Sequence, residues 1–404
     1  MLRRFTQITL LVAVQTWSVA QTTPTKSVSP TQEPILDQIK QCVVFITGTY
    51  TAGGSARQLM GTGFLVSSPE PRMGVDRILL YLVTNKHMIR EPDASGKLGA
   101  GPYFSTVDVR INLKQANPDG TQYGTSPVIV VTDAGDLTWF VDNSDDTVDL
   151  AVTPITIDEA KAQFKNIPVS LFATEQVLID RHINENDEVL FTGLFAWNPG
   201  AKRNYPIVRH GKLARLFQER IPLDRANPGK TVAVHLADVM SFGGNSGSPV
   251  FLRIGGIRDD ASVAGYSYFL LGVMQGFFPE GLDVTVDVAE KHGVAAQNSG
   301  IAAVIPADKI SSLIEGPRGK AYRERIVGLK LLQDGDLKQA EKCFQDAKGL
   351  LDTSAPQTSD MAAALQGYAL LLRKTNRTVE AEGAEKRAAK ILGNKSVDRL
   401  NPRM

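Results

Sequence analysis

The chain has 404 residues, 43% of them hydrophobic and 22% charged, ordinary globular proportions with length enough for two domains. Its 44 Lys and Arg nearly balance 43 Asp and Glu, which argues against a nucleic-acid footprint or a polybasic membrane-surface protein. The two cysteines, Cys42 and Cys343, exclude a disulfide scaffold, and the five histidines are too scattered for zinc-ligand spacing, so neither metal nor cofactor is expected.

Residues 1–20 carry the marks of a secretory signal peptide. Arg3 and Arg4 are basic, an apolar stretch is densest from Ile8 to Val14, and Ser18-Val19-Ala20 is a small-x-small cleavage signal. Thr6, Gln7, Gln15 and Thr16 interrupt the apolar stretch, which falls short of the ~20 apolar residues of a spanning helix. No later segment has that character, so an exported chain is expected, periplasmic or secreted, with no membrane span in its mature form. Residues 21–34 (QTTPTKSVSPTQEP) read as a flexible linker.

From residue 35 to 316 short apolar runs are bounded by Gly, Pro, Asn and Asp. Strands are expected at Val43 to Ile46, Thr62 to Val66, Ile78 to Val83, Val189 to Leu194, Thr231 to Leu236, Tyr268 to Met274 and Ile301 to Ile305. Val107, Val109, Ile111 and Leu113 alternate with Asp108, Arg110 and Asn112, the period of a half-buried strand. Many strands without helices between them predict a barrel or sandwich. One helical interruption is expected at Asp158 to Phe164.

After Pro317 the composition turns to Ala, Leu, Glu, Lys and Arg at helical spacing, and an all-α domain is expected over 317–396. Leu331, Gly335, Ala340, Glu341 and Ala347 pair with Leu372, Asn376, Ala381, Glu382 and Ala388 at an offset of 41. Each set reads helix, turn, helix, with Gly335 and Asn376 suited to a left-handed turn. The stretches LLQDGDLKQAEKCFQDA and YALLLRKTNRTVEAEGAEKRA resemble a pair of tetratricopeptide repeats, whose usual period is ~34 residues. The resemblance implies a tail that docks on the preceding domain or on another subunit, or binds a peptide or protein partner.

Three segments carry chemistry: Leu82 to Ile89 with His87, Val148 to Val152 led by Asp149, and the glycine-rich Phe242 to Pro249 centred on Ser246. A serine hydroxyl needs an adjacent base to attack at neutral pH, histidine has the pKa for that exchange, and a carboxylate fixes its tautomer. Glycines around the serine let the N–H groups of Gly244 and Ser246 converge as an oxyanion hole. Alone, each residue has a plainer reading: a satisfied strand-end histidine, a solvated loop acid, an ordinary glycine turn.

Taken in this order the segments resemble the chymotrypsin-like serine peptidase family, and its bacterial branch that includes the HtrA proteases. Thr84-Asn85-Lys86-His87 is similar to the family's Thr-x-x-His. Asp149-Leu150-Ala151 is similar to Asp-Leu/Ile-Ala, and Gly244 to Pro249 to Gly-Asn/Asp-Ser-Gly-Gly-Pro. Gly61-Thr62-Gly63-Phe64 and the stretch from Asn298 to Pro306 extend the match to about two-thirds of the chain. The resemblance implies a mainly β fold of two six-stranded β-barrels, joined near Pro154 to Asn166 and followed by the helical domain. It implies an exported endopeptidase acting on protein or peptide substrates, with His87, Asp149 and Ser246 as its triad. It also implies an S1 pocket with Met240, six residues before the serine, at its base and the strand of Met274 as a wall. An uncharged base predicts a small or medium apolar residue before the cut.

An α/β-hydrolase would run serine, acid, histidine around a Gly-x-Ser-x-Gly elbow, which Ser248 breaks here. His235 is a competing base, 11 positions before Ser246, although its strand context favours a structural role. Ser248 in place of glycine would crowd the turn, and Pro69 to Arg77 lengthens the approach to the histidine strand. A peptidase fold kept as an inactive binding module, with the tail as its working surface, is the alternative. Cys42 and Cys343 would either bridge tail to peptidase or, as expected, stay unpaired and buried.

Overall fold

A computed structural model describes residues 33–222, 228–258, 261–286 and 291–393, so the expected signal peptide and nearly all of the expected linker lie outside the described residues. The short helix α1 (Ile35–Gln41), not foreseen, leads into the first β unit. Its strands are β1 (Val43–Ala52), β2 (Ser55–Pro69), β3 (Ile78–Thr84), β4 (Thr106–Asn112), β5 (Tyr123–Ile129), β6 (Phe140–Val141), β7 (Ala151–Pro154) and β8 (Ile167–Pro168). They form one eight-stranded sheet in the order β5-β4-β1-β2-β3-β7-β6, with β8 parallel to β2. β1 and β2 meet in a two-residue turn, Gly53-Gly54, both at positive φ (59° and 76°), as a tight hairpin requires.

The expected six-stranded first barrel is therefore corrected to an eight-stranded sheet whose edges do not form a ladder. β6 is two residues long and cannot pair along β5. The edges are joined irregularly instead, by Thr138 N–H to Val130 O (2.9 Å) and Trp139 Nε1–H to Ile129 O (3.1 Å). One face of the sheet still gathers into a single core, with Ile46, Leu65, Leu82, Val109 and Trp139 all buried.

After the unforeseen helix α2 (Glu175–Asp180), the second unit contains β9 (Glu188–Gly193), β10 (Ile207–Arg215), β11 (Ile221–Pro222), β12 (Thr231–Val232), β13 (His235–Asp238), β14 (Pro249–Arg258), β15 (Ala261–Val286) and β16 (Lys291–Pro306). Six of them close a barrel, β10-β13-β16-β15-β14-β9, while β11 and β12 pair apart from it. The single strand expected over 231–236 is thus split into β12 and β13.

The helix expected at Asp158 to Phe164 is absent. Asp158 O accepts from the N–H groups of Lys161 (3.1 Å) and Ala162 (2.8 Å), which closes one turn. The end of β4 then takes the segment over: Gln163 N–H donates to Asn112 O (2.8 Å), and Ala162 bridges Leu113.

The chain ends in α3 (Ala307–Ile314), α4 (Pro317–Asp334), α5 (Leu337–Ser354), α6 (Ser359–Lys374) and α7 (Thr378–Leu392). Gly335 (φ 90°) and Asn376 (φ 60°) turn α4 into α5 and α6 into α7. Gly328 and Gly367 make room for the Phe344 ring, which would lie 3.0 and 2.6 Å from a Cβ at those positions. The helices dock on the first sheet. The Tyr322 ring meets Tyr81 edge-on at 6.4 Å, and Arg318 donates to Leu137 O (2.8 Å) and Trp139 O (3.1 Å). One apolar cluster runs through Phe64 and Tyr81 of the sheet, Phe251 and Leu270 of the barrel, and Val327 and Cys343 of the tail. Cys42 and Cys343 are both buried and unpaired.

Candidate active site

His87 is delivered by β3, every residue of which is buried, and by the single helical turn Lys86–Ile89 that follows it. Three bonds fix it to the segment before β7. Asn85 Nδ2–H donates to Asp149 O (2.9 Å), and His87 N–H donates to Asp149 Oδ1 (2.8 Å). His87 Nδ1 lies 2.6 Å from Asp149 Oδ2. A carboxylate at that distance keeps the proton on Nδ1 and leaves Nε2 as a proton acceptor. Nε2 is buried and has no hydrogen-bond partner. Burial pulls the His87 pKa down, but the charge of Asp149 and its hydrogen bond outweigh this, and the net is a pKa above the ordinary 6.5.

Ser246 sits in a turn held from three sides. From within, Asn245 Oδ1 accepts the Phe242 N–H (2.8 Å) while its Nδ2–H donates to Leu194 O (2.8 Å). From the first sheet, Thr62 N–H donates to Ser246 O (2.9 Å) and Thr62 Oγ1–H donates to Gly244 O (2.8 Å). From β15, Met274 O accepts the Gly247 N–H and Met274 N–H donates to Ser248 O, both at 2.9 Å. Gly244 (φ 95°) and Gly247 (φ 82°) are left-handed. A Cβ at Gly247 would fall 2.0 Å from Thr62 O and 2.6 Å from Thr84 Oγ1, so the turn lies against the end of β3, three residues before His87. Among the described residues, the N–H groups of Gly244 and Ser246 have no acceptor. No hydrogen bond joins Ser246 to His87.

Thr62 is the residue whose part the sequence did not disclose. It ties the turn to the sheet and also accepts the Leu194 N–H (2.9 Å) on Oγ1. Its place in Gly61-Thr62-Gly63 was the available signal. The crowding expected from Ser248 is relieved by a partner glycine. Ser248 is fully buried, and its Oγ occupies the space where a Cβ at Gly193 would stand, 1.9 Å away.

The two expected pocket residues part company. Met240 is half-exposed in the loop before the turn, whereas the Met274 side chain is wholly buried in the barrel core with Val250, Leu271 and Val304. Met274 therefore reaches the turn through the backbone of its strand. The competing histidine, His235, lies on β13 with Nδ1 accepting the Phe217 N–H (2.9 Å), and burial pushes its pKa down to about 4. No cluster of metal-ligating side chains occurs among the described residues, and none of their helices is long and apolar enough to cross a membrane.

No family model matches the chain, and no curated protein does. Among solved structures it is similar to the catalytically active tobacco etch virus protease complexed with product, at 11% identity and a TM-score of 0.30, over 75% of this chain and 89% of that one. It is similar also to a thermostable serine protease, AL20, from an extremophilic microorganism, at 11% identity and a TM-score of 0.30, over 57% of this chain and 91% of that one.

Proposed function

We propose that the chain is an exported serine endopeptidase of the chymotrypsin-like kind, resembling the bacterial branch that includes the HtrA proteases. One observation supports this most. His87 is bonded through Nδ1 to Asp149 with Nε2 unpartnered, next to a turn whose Gly244 and Ser246 N–H groups lack acceptors. Ser246 Oγ attacks the scissile carbonyl as His87 Nε2 takes its proton. The developing oxyanion receives the two N–H groups, and His87 returns the proton to the leaving amine. Water then repeats the sequence on the acyl-enzyme. Asp149 holds the imidazole in one tautomer and stabilises it when charged. The tail, similar to paired tetratricopeptide repeats, braces the sheet edge beside β7, with any peptide or protein partner bound on its outer faces.

The missing bond between Ser246 and His87 favours a second reading, a peptidase fold kept for binding, although such bonds are often long before substrate arrives. A fluorophosphonate probe separates the two. Labelling of Ser246 in the folded chain, lost in Ser246→Ala together with proteolysis, is the outcome expected of the enzyme. Stoichiometric peptide binding without labelling or turnover is the outcome expected of the module.

A further inference from the structure

Beside His87 lies a cavity of about 280 Å³, room enough for a side chain. Both β units build it. Lys86, Arg90 and Lys97 come from the stretch after β3, Asp146 from the loop before Asp149, Lys230 from the approach to β12, and Gln275 from β15. Four cations thus face two carboxylates, Asp146 and Asp149, and Asp149 is committed to His87. Asp146 is held by Lys86 at 3.0 Å and by Lys230 at 3.8 Å. Arg90 is fixed in place, its Nε–H on Gly101 O (2.8 Å) and its guanidinium 4.9 Å from the centre of the Tyr103 ring. Among the described residues, neither Arg90 nor Lys97 has a carboxylate oxygen within 4 Å of its charged nitrogens; Asp146 feels the charge of Arg90, and Asp93 that of Lys97, only at longer range. Gln275 of β15 lines the cavity, and a Cβ at its neighbour Gly276 would meet nothing within 4 Å.

We infer that this cavity is a carboxylate subsite, and that the substrates are peptides with Asp or Glu within a few residues of the bond cut at Ser246. The inference rests on the peptidase reading. A neutral side chain entering here would desolvate Arg90 and Lys97 without supplying the opposite charge. A carboxylate supplies it and gains charge-assisted hydrogen bonds.

The test is a peptide series that moves a single Glu, Gln or Ala through the positions on both sides of the cut. At one position Glu should exceed Gln in kcat/KM by about tenfold, the worth of a partly exposed hydrogen bond to a charged group. The ratio should shrink as salt rises, and it should approach one in an Arg90→Gln, Lys97→Gln double variant. The single Lys97→Gln variant, changed at an exposed position, should lower the ratio part-way and serves if the double variant does not fold. Equal rates for Glu and Gln at every position, or a ratio untouched by both variants, in a chain whose Ser246 takes the probe, overturns the subsite and leaves the peptidase reading standing. No probe labelling and no cleavage overturns both.

Discussion

Two desolvated histidines differ in one neighbour, and that neighbour decides their chemistry. His235 has only a backbone N–H against its ring, so desolvation acts unopposed and its pKa falls to about 4. His87 is desolvated too, but the Asp149 carboxylate reverses the sign. A base must be neutral to accept the Ser246 proton, and the neutral fraction is lost as pH falls through the pKa. On the proposed mechanism the acid limb of kcat/KM should therefore have its midpoint above 6.5, the ordinary value. Asp149→Asn should move that limb down and lower kcat by roughly 10⁴-fold. A midpoint at or below 6.5 in the unaltered protein would contradict the Asp149 pairing. The candidate residues His87, Asp149 and Ser246 stand out in the sequence because their flanks are local. Thr62 was not, since its partners Gly244 and Ser246 lie more than 180 positions away. Nor was the fit of Ser248 against Gly193, which exists only once the barrel closes.

Elements were legible where one period or one backbone demand governed them. The alternation at Val107, Val109 and Ile111 reappears as the buried face of β4. The repeat of helix, turn, helix reappears with Gly335 and Asn376 both left-handed at equivalent turns. Elements were missed where a partner overruled the local pattern, as when the end of β4 captured the stretch after Asp158, or where they were short, as α1 and α2 are. Asn376 offers a clean test of the turn, because it is exposed and non-glycine at φ 60°. Asn376→Ala should cost about 1 kcal/mol, the penalty of a Cβ in that region without the help of an asparagine side chain. Asn376→Gly should be neutral or slightly stabilising. Urea denaturation of the two variants measures the difference, and an alanine as stable as the glycine would contradict the assignment.

At the scale of the molecule, one apolar cluster of the described residues is shared by both β units and the tail, and this decides how the chain unfolds. The cluster that contains Phe64, Phe251 and Val327 belongs to all three parts, so none of them can leave without exposing the others' core. Arg318 reinforces the joint with two main-chain carbonyls of the first sheet and the Asp360 carboxylate of α6 (2.7 Å). The expectation is one cooperative transition. Helix loss in the tail and exposure of Trp139, which is fully buried in the first sheet's core, should coincide along a denaturant curve. Arg318→Ala should shift both signals together to lower denaturant by about 2 kcal/mol, since it strands two carbonyls and a carboxylate. Helix loss preceding the tryptophan change would mean instead that the tail is a separate unit, held on the sheet by polar contacts rather than by a shared core.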